Sequence, residues 1–148
     1  MDRLLSVAGL VALALVAGCG GGADDETPVA CLEGRAFYLA PQDAEPPVSE
    51  CLTENQAGGD LATVGAAMVA AATRLNSEAR DAPGGGDAFR LGYLVGAAER
   101  GAGETEGIHT DLLRRLRAAA LYSPAGRGLP ATVLSAYRRG LAAGRAGG

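Results

Sequence analysis

The side chains of this sequence best suited to chemistry are a carboxylate and the single histidine, Glu106 and His109, three positions apart. Residues three apart share a helix face, so the pair offers one oxygen and one nitrogen ligand to a metal ion. Helical bundles that hold two metal ions use a Glu-x-x-His motif twice, with further Glu residues on other helices. Only one copy occurs here, and an acidic first helical turn stabilised by the helix dipole explains the same residues. We predict no metal site and no cofactor, and keep a metal-binding or catalytic bundle with Glu106 and His109 as an alternative.

Other catalytic patterns are missing from the sequence. It contains no Lys, which excludes a Schiff base, a lysine general base and the phosphate-binding lysine of a P-loop. The Gly-rich stretch 101–107 follows no predicted strand, so it is not a phosphate-binding loop. No nucleophile elbow or Ser-His-Asp arrangement is present. We therefore predict binding rather than catalysis, although a missing motif does not by itself exclude an enzyme.

The N-terminus carries a targeting pattern. An apolar run from Leu4 to Ala17, interrupted only by Ser6, ends at Gly18-Cys19. A membrane-spanning helix needs about 20 apolar residues, so this shorter run is typical of a signal peptide. The stretch Leu15-Val16-Ala17-Gly18-Cys19 resembles the lipobox of bacterial lipoproteins. An ordinary cleaved signal peptide, with Cys19 incidental, is the alternative.

The lipobox resemblance implies a specific modification and location. In bacterial lipoproteins the Cys receives a diacylglyceryl thioether, and a dedicated signal peptidase cuts before it. Cys19 is then the palmitate-labelled first residue of an exported protein, and several acyl chains anchor it firmly in a membrane. Gly20 after the Cys, rather than Asp, favours the outer membrane facing the periplasm by the enterobacterial sorting rule. The resemblance covers about the first twenty residues.

The other two cysteines form an even pair once Cys19 is assigned to lipid. In an oxidising compartment, Cys31 and Cys51 are predicted to form a disulfide. Closing a loop of this size is worth about 3 kcal/mol in the chain-entropy model. Two free buried thiols, or half of a metal site, are the alternatives.

The hydrophobic pattern predicts a mainly α fold, namely a small four-helix bundle-like domain after a loop-rich, disulfide-stapled N-terminal arm. Residues 1–18 are the signal peptide, 19–30 a flexible Gly-rich and acidic tether, 31–56 the arm and 57–148 the helical domain. Within the arm, residues 35–40 are predicted as a short strand or extended segment. The helices are predicted from Asp60 to about Arg80, from Asp87 to about Gly101, from between Thr105 and Thr110 to Ser123, and from Pro130 to about Gly144.

Glycines spaced four apart recur in two predicted helices, as Gly92 with Gly96 and Gly140 with Gly144. Small residues one turn apart let two helix backbones approach closely. We predict tight packing of the second helix on the fourth. A homodimer interface or a groove for a partner is the alternative.

Charge is unevenly distributed along the chain. Residues 19–60 contain nine acids and one Arg, whereas residues 112–148 contain seven Arg and no acid. Nucleic acid is an unsuitable partner for an exported lipoprotein. The Arg-rich segment 112–148 therefore favours an acidic protein, an anionic lipid surface or an envelope polyanion as the partner. Solvated faces at opposite ends of one domain are the plainer explanation. The candidate partner-binding residues are Arg114, Arg115, Arg138 and Arg139.

These observations predict a membrane-anchored envelope lipoprotein that acts by binding a protein, as an adaptor or assembly factor. An immunity or inhibitor protein is the alternative in the same binding class. The identity of the partner and the oligomeric state are not specified by the sequence.

Overall fold

The computed structural model describes residues 26–39 and 41–148 of the chain. This part is mainly α, and a bundle of four long helices follows an irregular arm, so the predicted fold class is confirmed. The predicted signal peptide and the predicted lipidation residue Cys19 lie outside the described residues. The helices are α1 (Val29–Leu32), α2 (Gly58–Asp81), α3 (Asp87–Gly103), α4 (Thr110–Ala120) and α5 (Ala131–Gly147), with 3-10 turns at Arg35–Phe37, Pro41–Asp43, Val48–Cys51 and Pro124–Gly126.

Helix α2 follows the predicted one-faced pattern. Its buried side chains recur at intervals of three and four residues, which places them on one stripe. The helix ends where Pro83 and three glycines follow, because Pro cannot donate to the preceding turn and Gly disfavours a helical conformation. The buried stripe is formed by Val64, Met68, Ala71, Ala72, Leu75 and Ala79.

Helix α3 is the centre of the bundle. Every residue from 91 to 98 is buried, so this helix presents apolar or small residues on all its faces. It packs against α2, α4, α5 and the 3-10 turn Val48–Cys51. A core with few aromatic residues needs close helix contacts to exclude water, and the Ala and Gly content of α3 allows them.

Helices α2 and α4 run in the same direction. Residues early in α2 meet residues early in α4, since Gly65 packs on the side chain of Leu112. Further along both helices, the amide of Asn76 donates to the carbonyl of Ala120. Helices α2 and α4 are therefore parallel, and the short connection 82–86 turns α3 back along α2. None of the helices in the described part of the chain has the length and hydropathy needed to cross a bilayer.

The N-terminal arm is anchored by a disulfide and by buried side chains. Cys31 and Cys51 are bonded, with their Cα atoms 5.6 Å apart, and both are fully buried. Ala36 and Phe37 enter the same core as the cysteines. The arm is therefore an integral layer over α2 and α3, and its loops stay packed without regular long elements.

Two features of the arm differ from the sequence-based expectations. The predicted strand within residues 35–40 is wrong, because Gly34 takes a φ of 71° and the chain turns into a 3-10 turn at Arg35–Phe37. The predicted tether, residues 19–30, extends too far toward the domain. Thr27 is buried and α1 begins at Val29, because Thr27 accepts a hydrogen bond from the amide of Gln56.

Candidate functional site

A buried polar chain joins the arm to the bundle around His109. The imidazole is fully buried. Its Nε2 lies 3.0 Å from Gln56 Oε1, and its Nδ1 lies 2.7 Å from Thr105 Oγ1. Gln56 in turn donates from Nε2 to Thr27 Oγ1 and to the Cys51 carbonyl, each at 3.0 Å. Through Gln56, the ring therefore links the turn before α4 to Thr27 and to Cys51 of the N-terminal arm.

The hydrogen bonds of Gln56 select the tautomer of His109. The amide nitrogen of Gln56 faces two oxygen atoms, so its Oε1 must accept a proton from His109 Nε2. In a neutral ring, Nδ1 then carries the lone pair and faces the Thr105 hydroxyl, whose single proton is shared between Nδ1 and the Ala102 carbonyl 2.9 Å away. Burial lowers the pKa of His109, which favours the neutral form of the ring in the folded protein.

This arrangement does not assemble the alternative metal site. Both ring nitrogens of His109 are already hydrogen-bonded, whereas Glu106 is exposed and has a left-handed backbone with a φ of 47°. Within residues 26–39 and 41–148, no three His, Cys, Asp or Glu side chains are grouped so that they could hold a metal ion. His109 therefore acts in the structure as a connector between arm and bundle.

The four spaced glycines all lie at the crossing of α3 and α5. A Cβ atom added to Gly92 would overlap the carbonyl oxygen of Tyr137 and lie 2.8 Å from the Leu141 nitrogen. A Cβ atom added to Gly96 would overlap the Leu141 carbonyl oxygen and lie 2.9 Å from the Arg145 nitrogen. The two backbones are thus in direct contact, and no other residue type fits at these positions without moving a helix.

The contacts from α5 repeat those from α3. A Cβ atom on Gly140 would overlap the Phe89 carbonyl oxygen, and one on Gly144 would overlap the Tyr93 carbonyl oxygen. Gly92 corresponds to Gly140, and Gly96 corresponds to Gly144. Each glycine meets the residue three positions before its counterpart on the other helix. Because Gly92 meets Tyr137 and Gly96 meets Leu141, α3 and α5 run parallel. The reciprocal contacts give this parallel pair an approximate twofold axis through the crossing, as in a small-residue helix dimer.

The predicted partner-binding arginines are not brought together. Arg115 lines a cavity of about 200 Å³ between the early parts of α2 and α4, and Arg114 pairs with Asp111. On α5, Arg139 lines a different cavity, bordered by the connection after α2, and Arg138 is exposed. Arg115 and Arg139 therefore line different cavities.

A carboxylate clamp near the C-terminal ends of α3 and α5 was missed by the sequence analysis. Glu99 on α3 is bound by Arg117 of α4 at 2.8 Å and by Arg145 of α5 at 2.6 Å. Its side chain is only 11% exposed, while the two arginines are about half exposed. An acid inside an otherwise buried helical stretch was the available signal, since such groups are rarely buried without a partner.

A second feature missed from the sequence is a groove between the C-terminal halves of α2 and α4. It holds about 400 Å³ and is walled by Thr73, Asn76, Ser77, Arg80, Ala118, Ala119 and Tyr122. It continues into a cavity of about 360 Å³ beside residues 121–130, which shares Ser77 and Arg80 and adds Asp81, Ser123, Pro124, Arg127, Gly128 and Pro130. We call the two together the distal groove.

The opposite end of the bundle is acidic. A cavity of about 560 Å³ there is lined by Glu26, Glu50 and Glu104 around Arg100. Thr53 also lines it, and its hydroxyl is buried without a hydrogen-bond partner in the described structure. The chain enters the described structure at this end, since Glu26 is its first described residue.

No known family model, curated protein or solved structure matches this chain.

Proposed function

We propose that this chain is an exported lipoprotein, anchored through Cys19 to the outer membrane, which acts by binding a protein partner as an adaptor or assembly factor. The proposal combines the lipobox of the sequence with the polarity of the folded domain. The main supporting observation is that the two ends of the domain differ in charge. The chain enters at one end, beside the acidic cavity, and the arginine-lined groove lies at the other end.

The disulfide supports an exported location independently of the lipobox. Cys31 and Cys51 are bonded and fully buried, and they close the arm over the bundle. Stable structural disulfides form in oxidising compartments and are rare in a reducing cytosol. A protein that needs this bond to hold its arm is therefore suited to the periplasm or the cell surface.

The two ends of the domain are separated by the length of α2. Its 24 residues span about 36 Å at 1.5 Å per residue. Glu26 and the acidic cavity lie near the start of α2, and the distal groove lies near its end. A lipid anchor preceding Glu26 holds the entry end of the domain nearest the membrane, which leaves the distal groove at the far end of α2 accessible to a partner.

Binding fits the described side chains better than catalysis does. The single histidine is buried in a structural network with both nitrogens used. A general base must reach a substrate proton directly or through one water, which a fully enclosed ring does not do. The exposed features are arginines and apolar side chains, which are the groups that dominate protein recognition surfaces.

The anchor is tested by labelling cells with radioactive palmitate. The wild-type protein is expected to incorporate label, and Cys19→Ala to lose it and accumulate as precursor. Continued labelling of the variant would falsify the anchor. Fractionation of the wild type between inner and outer membranes tests the sorting separately.

The binding role is tested by brief crosslinking in intact envelopes, followed by purification of the lipidated, tagged protein. A stoichiometric protein partner is expected. An envelope component as partner favours the adaptor role, whereas a toxin or secreted enzyme favours an immunity or inhibitor role. A protein recovered only with itself or with lipid contradicts the proposal.

A further inference from the structure

We propose that the distal groove is the partner-binding site and that it takes an acidic segment of a partner protein that inserts an apolar side chain. This inference rests on the proposed binding function and gives it a location and a chemistry. It assigns the site to α2, α4 and residues 121–130, away from the arginines that the sequence singled out.

The groove offers an unusual amount of exposed apolar surface. Tyr122 lines the groove and is 62% exposed, although most large apolar side chains of the described structure are buried. Ala118 and Ala119 line the groove beside it, and their small side chains leave room for an apolar group. An aromatic side chain at the rim of an apolar channel is a common anchor in protein recognition.

The charge of the groove selects an acidic occupant. Arg80 and Arg127 both line it, and neither has an ion-pair partner within the part of the chain that the structure describes. One carboxylate, Asp81, lines the same cavity, so the guanidinium groups outnumber it. Guanidinium groups bind carboxylates through paired hydrogen bonds, which makes an Asp or Glu of the partner the matching group.

Arg80 is held in place before any partner binds. Its Nη1 donates to the carbonyl of Tyr122 at 3.2 Å, which ties the end of α2 to the end of α4. The remaining donors of this planar group stay available to a ligand. A side chain that is already positioned loses less conformational entropy on binding, so Arg80 is prepared to bind a carboxylate. Arg127, the second cation of the groove, is exposed to solvent.

The position of the groove favours a protein over a lipid headgroup. The groove lies at the far end of α2 from Glu26, where the chain enters the domain. With the anchor at the entry end, the membrane surface and the distal groove are on opposite sides of the bundle. A partner that extends away from the membrane reaches the groove without displacing the anchor.

The direct test uses the full-length processed protein in a non-ionic detergent. The probe is a fluorescent random copolymer of glutamate and tyrosine, which carries carboxylates and apolar rings without a specific sequence. The groove variant combines Tyr122→Ser with Arg127→Glu, two exposed residues outside the core. The matched control is Arg138→Glu, which makes the same charge change on exposed α5 surface outside the groove.

Fluorescence anisotropy is expected to show binding about tenfold weaker for the groove variant and within about twofold of wild type for the control. Equal losses in both variants, or no binding by the wild type, would overturn the groove as an acidic-segment site. Circular dichroism establishes that both variants keep the helical content of the wild type, and Arg127→Glu alone replaces the double variant if it does not.

A second experiment separates the groove from the proposed function. A photocrosslinking amino acid is placed at position 122, or at position 138 as control, in cells that make the full chain. A partner crosslinked from position 122 through an acidic segment, and lost on adding Arg127→Glu, supports the inference. Capture from position 138 only, a neutral or basic segment at position 122, or lipid at position 122 overturns the groove but leaves a binding role in place. Capture from neither site also overturns the groove, and co-purification from intact envelopes then decides the binding role independently.

Discussion

Gly92 of α3 and Gly140 of α5 occupy equivalent positions at one helix crossing. Gly92 packs on the backbone of Tyr137 and Leu141, and Gly140 packs on the backbone of Phe89 and Tyr93. In each case the contacted residues lie three before and one after the partner glycine. The parallel pair α3–α5 therefore uses the same backbone contact on both helices. Its stability depends on having glycine, with no side chain, at positions 92, 96, 140 and 144.

Substituting this crossing is expected to be costly. Gly92→Ala places a methyl group where the Tyr137 carbonyl lies, so α5 must move outward along its length. Overpacking of a close contact costs about 1–3 kcal/mol, and a backbone obstacle places this variant at the upper end of that range. Gly140→Ala is expected to lose a similar amount. Urea unfolding followed by circular dichroism measures both losses.

Gly103 supplies the control on the same helix. An added Cβ at Gly103 meets nothing within 4 Å, so Gly103→Ala should keep or raise the free energy of unfolding, by up to about 1 kcal/mol. If Gly92→Ala and Gly103→Ala behaved alike, the close crossing would not limit the stability of the bundle.

The helices were predictable from the sequence because their cause is local. On α2, the spacing of apolar residues determines which face is buried, and the Pro and Gly residues after Asp81 determine where the helix ends. Each of these effects acts between residues that are close in sequence. Gly92 and Gly96 were recognisable for the same reason, since their spacing alone allows close approach. What the pattern did not show was direction, because a parallel and an antiparallel crossing use the same spacing.

The site residues were less predictable because their partners are distant in sequence. His109 contacts Gln56 across 53 positions, and Glu99 is bound by Arg145 across 46. Counting charges by segment correctly located the excess of Arg but could not show that Glu99 neutralises part of it. The distal groove depends on how α2 and α4 end beside each other, which no single segment encodes.

Removing the disulfide is expected to destabilise the arm and the domain together. The bond closes a loop with a sequence separation of 20, so its loss through Cys31→Ala with Cys51→Ala should cost about 3 kcal/mol. Both cysteines are fully buried within the main core, so the variant also loses packing. Urea unfolding with and without dithiothreitol measures the effect. The reductant should lower wild-type stability and leave the variant unchanged; equal stability of oxidised and reduced wild type contradicts the prediction.

Neutralising Glu99 is expected to loosen α4 and α5 from α3. In Glu99→Gln, the amide retains some hydrogen bonding, but Arg117 and Arg145 are left as adjacent cations without a counterion. We expect a loss of about 1–2 kcal/mol, kept modest by the exposure of both guanidinium groups to solvent.

The control for this clamp is Glu78→Gln. Glu78 pairs with Arg74 one turn away on the exposed side of α2, and this variant should leave the free energy of unfolding unchanged within error. Because removing Glu99 creates repulsion between cations, added salt should reduce the loss in Glu99→Gln. Equal effects of the two substitutions would show that the clamp contributes no more than a surface ion pair.

Acid is expected to weaken the attachment of the arm through His109. Burial lowers the pKa of this ring in the folded protein from its ordinary value of 6.5, while the unfolded chain keeps that ordinary value. Below pH 6.5 the unfolded state therefore binds more protons than the folded state, and stability falls as the pH falls, by up to about 1.4 kcal/mol per pH unit. Above pH 6.5 the contribution of this ring is constant.

The measurement is the free energy of unfolding between pH 7.5 and pH 5, compared between wild type and His109→Gln. Gln lacks a titrating group, so its curve should be flatter between pH 6.5 and pH 5, where the carboxylates still contribute little. The variant starts from a lower stability because Gln56 and Thr105 lose a shared partner, and the comparison of slopes is independent of that offset. Identical slopes would mean that the ring titrates equally in both states, and the buried network around His109 would then exert no penalty on its protonation.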